Sequence, residues 1–174
     1  MTIILGVDPG SRITGYGIIQ VQPNHAHTFL AAGCIRLEKE DLGGKLRQIH
    51  HVLAELIQTY APTEAVFEQI FLDKNPGTAL KLGQARGAAI AVAAVHALSI
   101  HEYTARQVKK AIVGYGAADK QQMQHMVKFL LKLETTPPVD AADALGAALC
   151  HAYMRQGLQR LGDAALKMRY QRLR

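Results

Sequence analysis

Four carboxylates in this 174-residue sequence lie at positions that a globular fold could bring together. Asp8 follows an apolar run, residues 2–7, that is typical of a buried strand. Glu68 ends a second short apolar segment, and if the two strands are parallel neighbours both acids project at the edge where open α/β sheets bind ligands. Asp140 and Asp143 are three residues apart at the predicted start of a helix, so both can face one direction.

A cluster of these four acids would need cations, since carboxylates that share a site of low dielectric repel each other by several kcal/mol. Oxygen ligands without cysteine or histidine at matching spacing favour Mg²⁺, with Mn²⁺ able to substitute. Two such ions about 4 Å apart form the arrangement that hydrolyses phosphodiesters, in which one activates the attacking water and the other stabilises the leaving oxygen. The acids therefore predict a nuclease centre with two ions per subunit.

Each acid also has a plainer interpretation. Asp140 and Asp143 follow two prolines and could cap the helix that they begin. Glu68 could be an exposed residue at the end of a strand, and Asp8 could form a turn with the Pro-Gly pair that follows it. If all four acids had only these plainer roles, their positions at one edge of the sheet would be a coincidence.

Hydrophobic periodicity predicts the elements that must position these acids. The predicted strands are residues 2–8, 13–21, 26–37, 64 to about 68, and 100–103, and the predicted helices are 41–60, 76–98, 105–113, 119–132 and 140–155. The first three strands form an antiparallel meander, and the helix before the fourth makes that strand parallel to a neighbour. This order predicts an α/β fold in which a mixed five-stranded sheet carries helices on both faces, as in the ribonuclease H-like superfamily. We expect one domain over residues 1–155, followed by a flexible basic tail at 156–174.

The charge of the chain favours a polyanionic partner. There are 20 Lys and Arg residues against 14 Asp and Glu, and the basic residues are concentrated in residues 74–132 and 155–174. Such a basic field is typical of nucleic-acid binding, although it could also serve solubility. The longest central stretch without formal charge, residues 87–101, is too short to span a bilayer, and no signal peptide is visible. We therefore expect a cytoplasmic protein with no membrane contact.

Five motifs together resemble the RuvC family of bacterial Holliday-junction resolvases. They are residues 6–19, 67–71, 75–87, 105–127 and 140–149, and the similarity extends over about residues 2–155. The resemblance implies a homodimeric, Mg²⁺-dependent endonuclease of ribonuclease H-like fold that nicks two opposing strands of a four-way DNA junction symmetrically, in recombination and repair. It also implies a partnership with the RuvA–RuvB branch-migration complex. The family's catalytic acids fall on Asp8, Glu68, Asp140 and Asp143.

The basic and aromatic residues, together with the resemblance, indicate how DNA would be held. Phe71 matches a position that resembles a stacking wedge for an unpaired base, although it could instead pack in the core. The candidate phosphate contacts are Lys74, Lys81, Arg86, Lys109, Lys110 and Lys120. The match favours Lys109 and Lys120 as nearest the cleaved strand, and a solvated basic face is the alternative. Helix 78–98, rich in glycine and alanine, is favoured as the dimer seam, although its small residues could simply pack on the sheet.

Two other functions compete with the nuclease. An ATP-binding phosphotransferase of the actin and sugar-kinase fold also has an Asp-x-Gly loop after its first strand, but it needs a second domain with a second such hairpin. A non-catalytic protein of DNA architecture would use the basic zones and would have no need of the four acids.

Overall fold

The computed structural model describes residues 1–37, 41–69 and 76–171, with side chains up to residue 158. The strands are β1 (Thr2–Asp8), β2 (Ile13–Val21), β3 (His27–Arg36), β4 (Glu64–Glu68) and β5 (Ser99–Tyr103). The helices are α1 (Leu42–Tyr60), α2 (Pro76–Val95), α3 (Ala105–Val113), α4 (Lys120–Leu130) and α5 (Val139–Gln171). The predicted order of strands and helices is confirmed. Within the described residues, no helix is both long enough and apolar enough to cross a membrane.

The strands form one mixed sheet in the order β3-β2-β1-β4-β5. β1 is antiparallel to β2 and parallel to β4, and β4 is parallel to β5. The prediction of a mixed five-stranded sheet with an antiparallel start is confirmed. Because Val7 pairs with Phe67, the next residue of each strand, Asp8 and Glu68, reaches the same edge of the sheet.

Helices cover both faces of this sheet, as predicted, because apolar residues alternate along the central strands. Leu5 and Val7 face a core that includes the stripe of α1, Ile49, Leu53 and Ile57. The intervening residues of β1 and its neighbours face the second core, which is filled by α3, α4 and α5. The sheet is therefore the middle layer of three.

Helix α5 lies directly on the backbone of β1 and β2, and three glycines make this possible. A Cβ at Gly15 would lie 2.0 Å from the carbonyl oxygen of Asp140, and a Cβ at Gly6 would lie 2.0 Å from that of Ala144. Gly17 faces the same helix further along β2. A side chain at any of these positions would push the helix away, so the glycines set how closely α5 approaches the end of β1.

The predicted end of α5 at residue 155 is too early, since the helix continues to Gln171. No proline follows Pro138, and a single glycine within a helix costs only about 1 kcal/mol, so the sequence holds no strong stop signal there. The basic charge of residues 156–174, from which the flexible tail was predicted, does not itself prevent a helix.

Candidate active site

The four predicted carboxylates meet at the carboxyl ends of β1 and β4. Asp8 and Glu68 are the last residues of these parallel neighbours. Gly15 is paired with Asp8 across β1 and β2, and the first turn of α5 lies against it. That turn carries Asp140, and Asp143 follows on the same helix. Three separate elements thus bring the four acids to the same edge of the sheet, near enough for Asp8 to interact electrostatically with the other three.

The carboxylates are partly withdrawn from water and repel one another. The pKa of Asp8 is raised from 3.8 to about 8, mainly by burial and further by the negative charges of Glu68, Asp143 and Asp140, against an opposing effect of Lys120. Burial is also the main reason that the pKa values of Glu68 and Asp143 are raised. The site therefore holds more negative charge than the protein itself compensates. Oxygen donors with uncompensated charge fit hard divalent cations.

Two of the predicted lysines lie at this cluster. The positive charges of Lys109 and Lys120 both lower the pKa values of Glu68 and Asp143, opposing the effect of burial. Lys120 acts on Asp8 as well. Side chains of opposite charge therefore border the acids on the side of α3 and α4.

Helix caps hold these two lysines in place. Thr104 caps α3 with a reciprocal capping box, and Gly114 ends the helix with a φ of +94°, a conformation that favours glycine. Asp119 caps α4, where its side chain accepts a hydrogen bond of 2.8 Å from the backbone N–H of Gln122. Lys120 is consequently the first residue of α4 and stands at the end that faces the acids.

The other predicted DNA contacts are more scattered. Lys110 is exposed. Because adjacent residues of a helix point in different directions, it does not lie on the side of α3 from which Lys109 acts on the acids. Lys81 is exposed on α2 and lines a cavity of about 200 Å³ together with Lys45. Arg86 forms an ion pair with Glu102 of β5, which gives it a structural partner within the protein. Phe71 and Lys74 lie outside the described residues.

Sequence reasoning missed the residues that shape the site without carrying charge. The buried hydroxyl of Thr14 donates a 3.3 Å hydrogen bond to the carbonyl oxygen of Gly10 and lies 3.3 Å from its backbone nitrogen, which holds the turn after Asp8. Gly15 and Gly17 open the space for α5. The sequence did contain a sign of this packing, because the alternating glycines Gly15 and Gly17 of β2 indicate that another backbone approaches the strand closely.

The metal-free protein should lose stability as pH rises. The folded protein binds the Asp8 proton more tightly than the unfolded chain does, so this contribution is complete below a pH near 3.8 and is lost as pH rises toward about 8. Thermal unfolding in a chelator should show a Tm that falls over this range. The corresponding loss in the free energy of unfolding should be several kcal/mol at most. Asp8→Asn should flatten the profile. An equally steep fall in that variant would contradict the assignment of the titration to Asp8.

Comparison with known proteins identifies the family. The model of the family described as crossover junction endodeoxyribonuclease RuvC matches residues 4–151. The chain belongs to the RuvC family. The family member of that name from Shewanella sp. (strain W3-18-1) is 53% identical over 174 residues, with all of both chains covered. The one from Marinobacter nauticus is 54% identical over 174 residues, which cover 100% of this chain and 99% of that protein.

Solved structures agree with this membership. The RuvC of Thermus thermophilus in complex with a Holliday junction substrate superimposes with a TM-score of 0.83 at 30% identity, over 90% of this chain and 97% of that one. The yeast mitochondrial Holliday junction resolvase Ydc2 has a TM-score of 0.72 at 12% identity, over 95% of this chain and 83% of that one, which is a likeness of fold alone. The ribonuclease H-like fold predicted from the order of strands and helices is confirmed in the RuvC family.

Proposed function

We propose that this protein is an endonuclease that resolves four-way DNA junctions by nicking two opposing strands at symmetric positions. The observation that carries the proposal is the convergence of four carboxylates and two lysines in a member of the RuvC family. By the same membership, we infer that it acts in the cytoplasm in recombination and repair, together with the RuvA–RuvB branch-migration complex.

The carboxylates of Asp8, Glu68, Asp140 and Asp143 would hold two Mg²⁺ ions per subunit, or Mn²⁺ in their place. When bound, such ions supply Lewis-acid activation of the attacking water and stabilise charge on the leaving oxygen. Asp8 interacts electrostatically with each of the other three acids, so we assign it the central position.

Lys109 and Lys120 would bind phosphates of the cleaved strand. Their ammonium groups are near enough to Glu68 and Asp143 to influence both acids, so a phosphate drawn to them would lie beside the carboxylates. Phe71 would stack on an unpaired base at the junction centre. The remaining candidates, Lys74, Lys81, Arg86 and Lys110, would contact phosphates further away, and Arg86 would have to share its guanidinium with Glu102.

Helix α2 supports the proposal of a homodimer because it has two different apolar faces. One face, which includes Ala85 and Ala89, is buried in the core. The opposite face is exposed and bears Leu80 and Val95, whose exposed fractions are 64% and 79%. Between them, a Cβ at Gly87 would meet nothing within 4 Å, so a second helix could approach closely. A twofold dimer would present two matching sites to a junction of approximate twofold symmetry.

Gly87→Gln should dissociate the dimer and leave each protomer folded. The new side chain enters open space in one protomer, and glutamine favours helix over glycine by roughly 0.5–1 kcal/mol, but the side chain would block a close helix contact. Analytical ultracentrifugation should show a monomer, and thermal unfolding should show an undiminished Tm. Paired cleavage of the junction should be lost. Gly157→Gln, another exposed helical glycine with open space around it, is the matched control. A Gly87→Gln variant that remains dimeric would place the interface elsewhere.

The function is tested by comparing a synthetic four-way junction with a linear duplex that contains the same sequence, each with and without Mg²⁺. We expect nicks in the junction alone and only when Mg²⁺ is present. Binding to the junction without cleavage under any divalent cation would favour the protein of DNA architecture. Hydrolysis of ATP without cleavage of DNA would favour the phosphotransferase.

A further inference from the structure

Three metal-ligating side chains meet at the amino-terminal end of β4, away from the carboxylate site. Glu64 begins β4, His101 lies in β5, and His151 lies in α5. One ligand atom from each lies within 4.8 Å of the other two. The proposed nuclease gives none of these residues a role, and the carboxylate site, which includes Glu68, lies at the other end of β4.

His151 is buried and held in a fixed orientation. Its side chain is only 3% exposed. Its Nδ1 lies 2.8 Å from the hydroxyl of Tyr103, and its Nε2 lies 2.6 Å from Oε2 of Glu64. The second carboxylate oxygen of Glu64 accepts from Arg155 at 2.7 Å. Hydrogen bonds with Arg155 and Tyr103 therefore fix the orientations of Glu64 and His151, as outer hydrogen bonds usually do for the ligands of metal ions.

His101 completes the group from the more open side. Its ring stacks on that of His151, with 4.1 Å between centroids and 30° between planes. Among the described residues, no hydrogen-bond partner is present for its ring nitrogens, and the side chain is partly exposed. A nitrogen lone pair of His101 is thus free to bind an ion that enters from solvent.

We propose that Glu64, His101 and His151 bind a divalent transition-metal ion of the Zn²⁺ class. Two imidazoles and one carboxylate are typical zinc ligands, and a water can take the fourth position. Mg²⁺ prefers oxygen ligands alone and would not compete well here. Zinc bonds of about 2.0–2.1 Å place tetrahedral ligands roughly 3.3 Å apart. To reach that geometry the ligand atoms, now within 4.8 Å of one another, must draw closer, and the ring of His101 must turn out of its stack on His151.

The surrounding hydrogen bonds can adapt to the ion. When Nε2 of His151 binds a metal, the imidazole proton must lie on Nδ1, where the oxygen of Tyr103 can accept it. Glu64 can bind the ion through Oε2 and keep its contact with Arg155 through Oε1. The ion would then hold β4 and β5 to α5, the helix that carries Asp140 and Asp143 in its first turns.

The proposal is tested by titrating the full-length protein with Zn²⁺ against a chromophoric chelator, with excess Mg²⁺ to occupy the carboxylate site. We expect one Zn²⁺ per chain and a higher Tm in its presence. His101→Leu should abolish this binding and remain folded, since it replaces a partly exposed strand residue. Tyr103→Phe should weaken it by about tenfold, because only the orienting hydrogen bond is lost.

His125→Leu, which removes an exposed histidine on α4, is the matched control and should bind Zn²⁺ like the unaltered protein. Co²⁺ in place of Zn²⁺ should give the visible absorption of a four-coordinate site, and His101→Leu should lose it. If the unaltered protein takes up no Zn²⁺, or if His101→Leu and Glu64→Gln bind it as well as the control does, the proposal is overturned and the group is a hydrogen-bonded network only.

Discussion

Asp8→Asn will abolish cleavage of a four-way junction and leave binding of the junction in a chelator intact. Asparagine has nearly the same shape but no charge, so the site loses the carboxylate that interacts with the other three acids and keeps its packing. Stabilisation of transition-state charge by bound ions contributes several kcal/mol, and each 1.4 kcal/mol is a factor of ten, so the rate should fall by about a thousandfold or more.

Single-turnover cleavage and gel-shift binding, measured on the same junction, separate the two effects. Asp41→Asn is the matched control. Asp41 caps α1 by accepting a hydrogen bond from Gly44, and asparagine caps helices equally well, so cleavage should be unchanged. The Asp8 variant should also have a higher Tm than the unaltered protein near pH 8 without metal, because a buried, repelled charge is gone. Cleavage retained within tenfold would refute the role of Asp8 as a metal ligand.

Gly15→Ala will damage the site from a position that carries no functional group. The added Cβ would lie 2.0 Å from the carbonyl oxygen of Asp140, so the start of α5 must move outward by about 1 Å or more. Overfilling of this kind costs roughly 1–3 kcal/mol of stability. Because Asp140 and Asp143 move with the helix, a displacement of this size should lower the cleavage rate by about a hundredfold.

Gly157→Ala provides the control for the effect of alanine itself. It lies on the same helix, but a Cβ there meets nothing within 4 Å. Cleavage should be unchanged, and stability should rise by up to about 1 kcal/mol through the better helix propensity of alanine. Chemical denaturation and junction cleavage together measure both effects. If Gly15→Ala is as stable and active as Gly157→Ala, then α5 is not held against β2 in the way described.

The sequence predicted the strands that carry Asp8 and Glu68 because both are short apolar runs that end in a charge, a strong local pattern. The cap of α1 by Asp41 is a local signal of the same kind, since a cap is recognised from residues within one turn. These local signals placed the edge of the sheet at which the acids meet. The RuvC resemblance pointed to the same four acids independently.

Features that depend on contacts between distant segments could not be predicted in this way. The approach of α5 to Gly6 and Gly15 joins residues more than a hundred positions apart. Arg86 was predicted as a DNA contact from its charge alone, and the sequence holds no sign that Glu102 is its partner. His101 had no predicted role, because its neighbours Glu64 and His151 come from other elements.

The most direct test of the account is single-turnover cleavage of a mobile four-way junction in which each of the four strands is labelled in turn. With Mg²⁺, we predict nicks at symmetric positions in two opposing strands, none in the other two, and none in the chelator or with Asp8→Asn. Cuts in all four strands, cuts in one strand only, or equal cutting of the matching linear duplex would contradict the account.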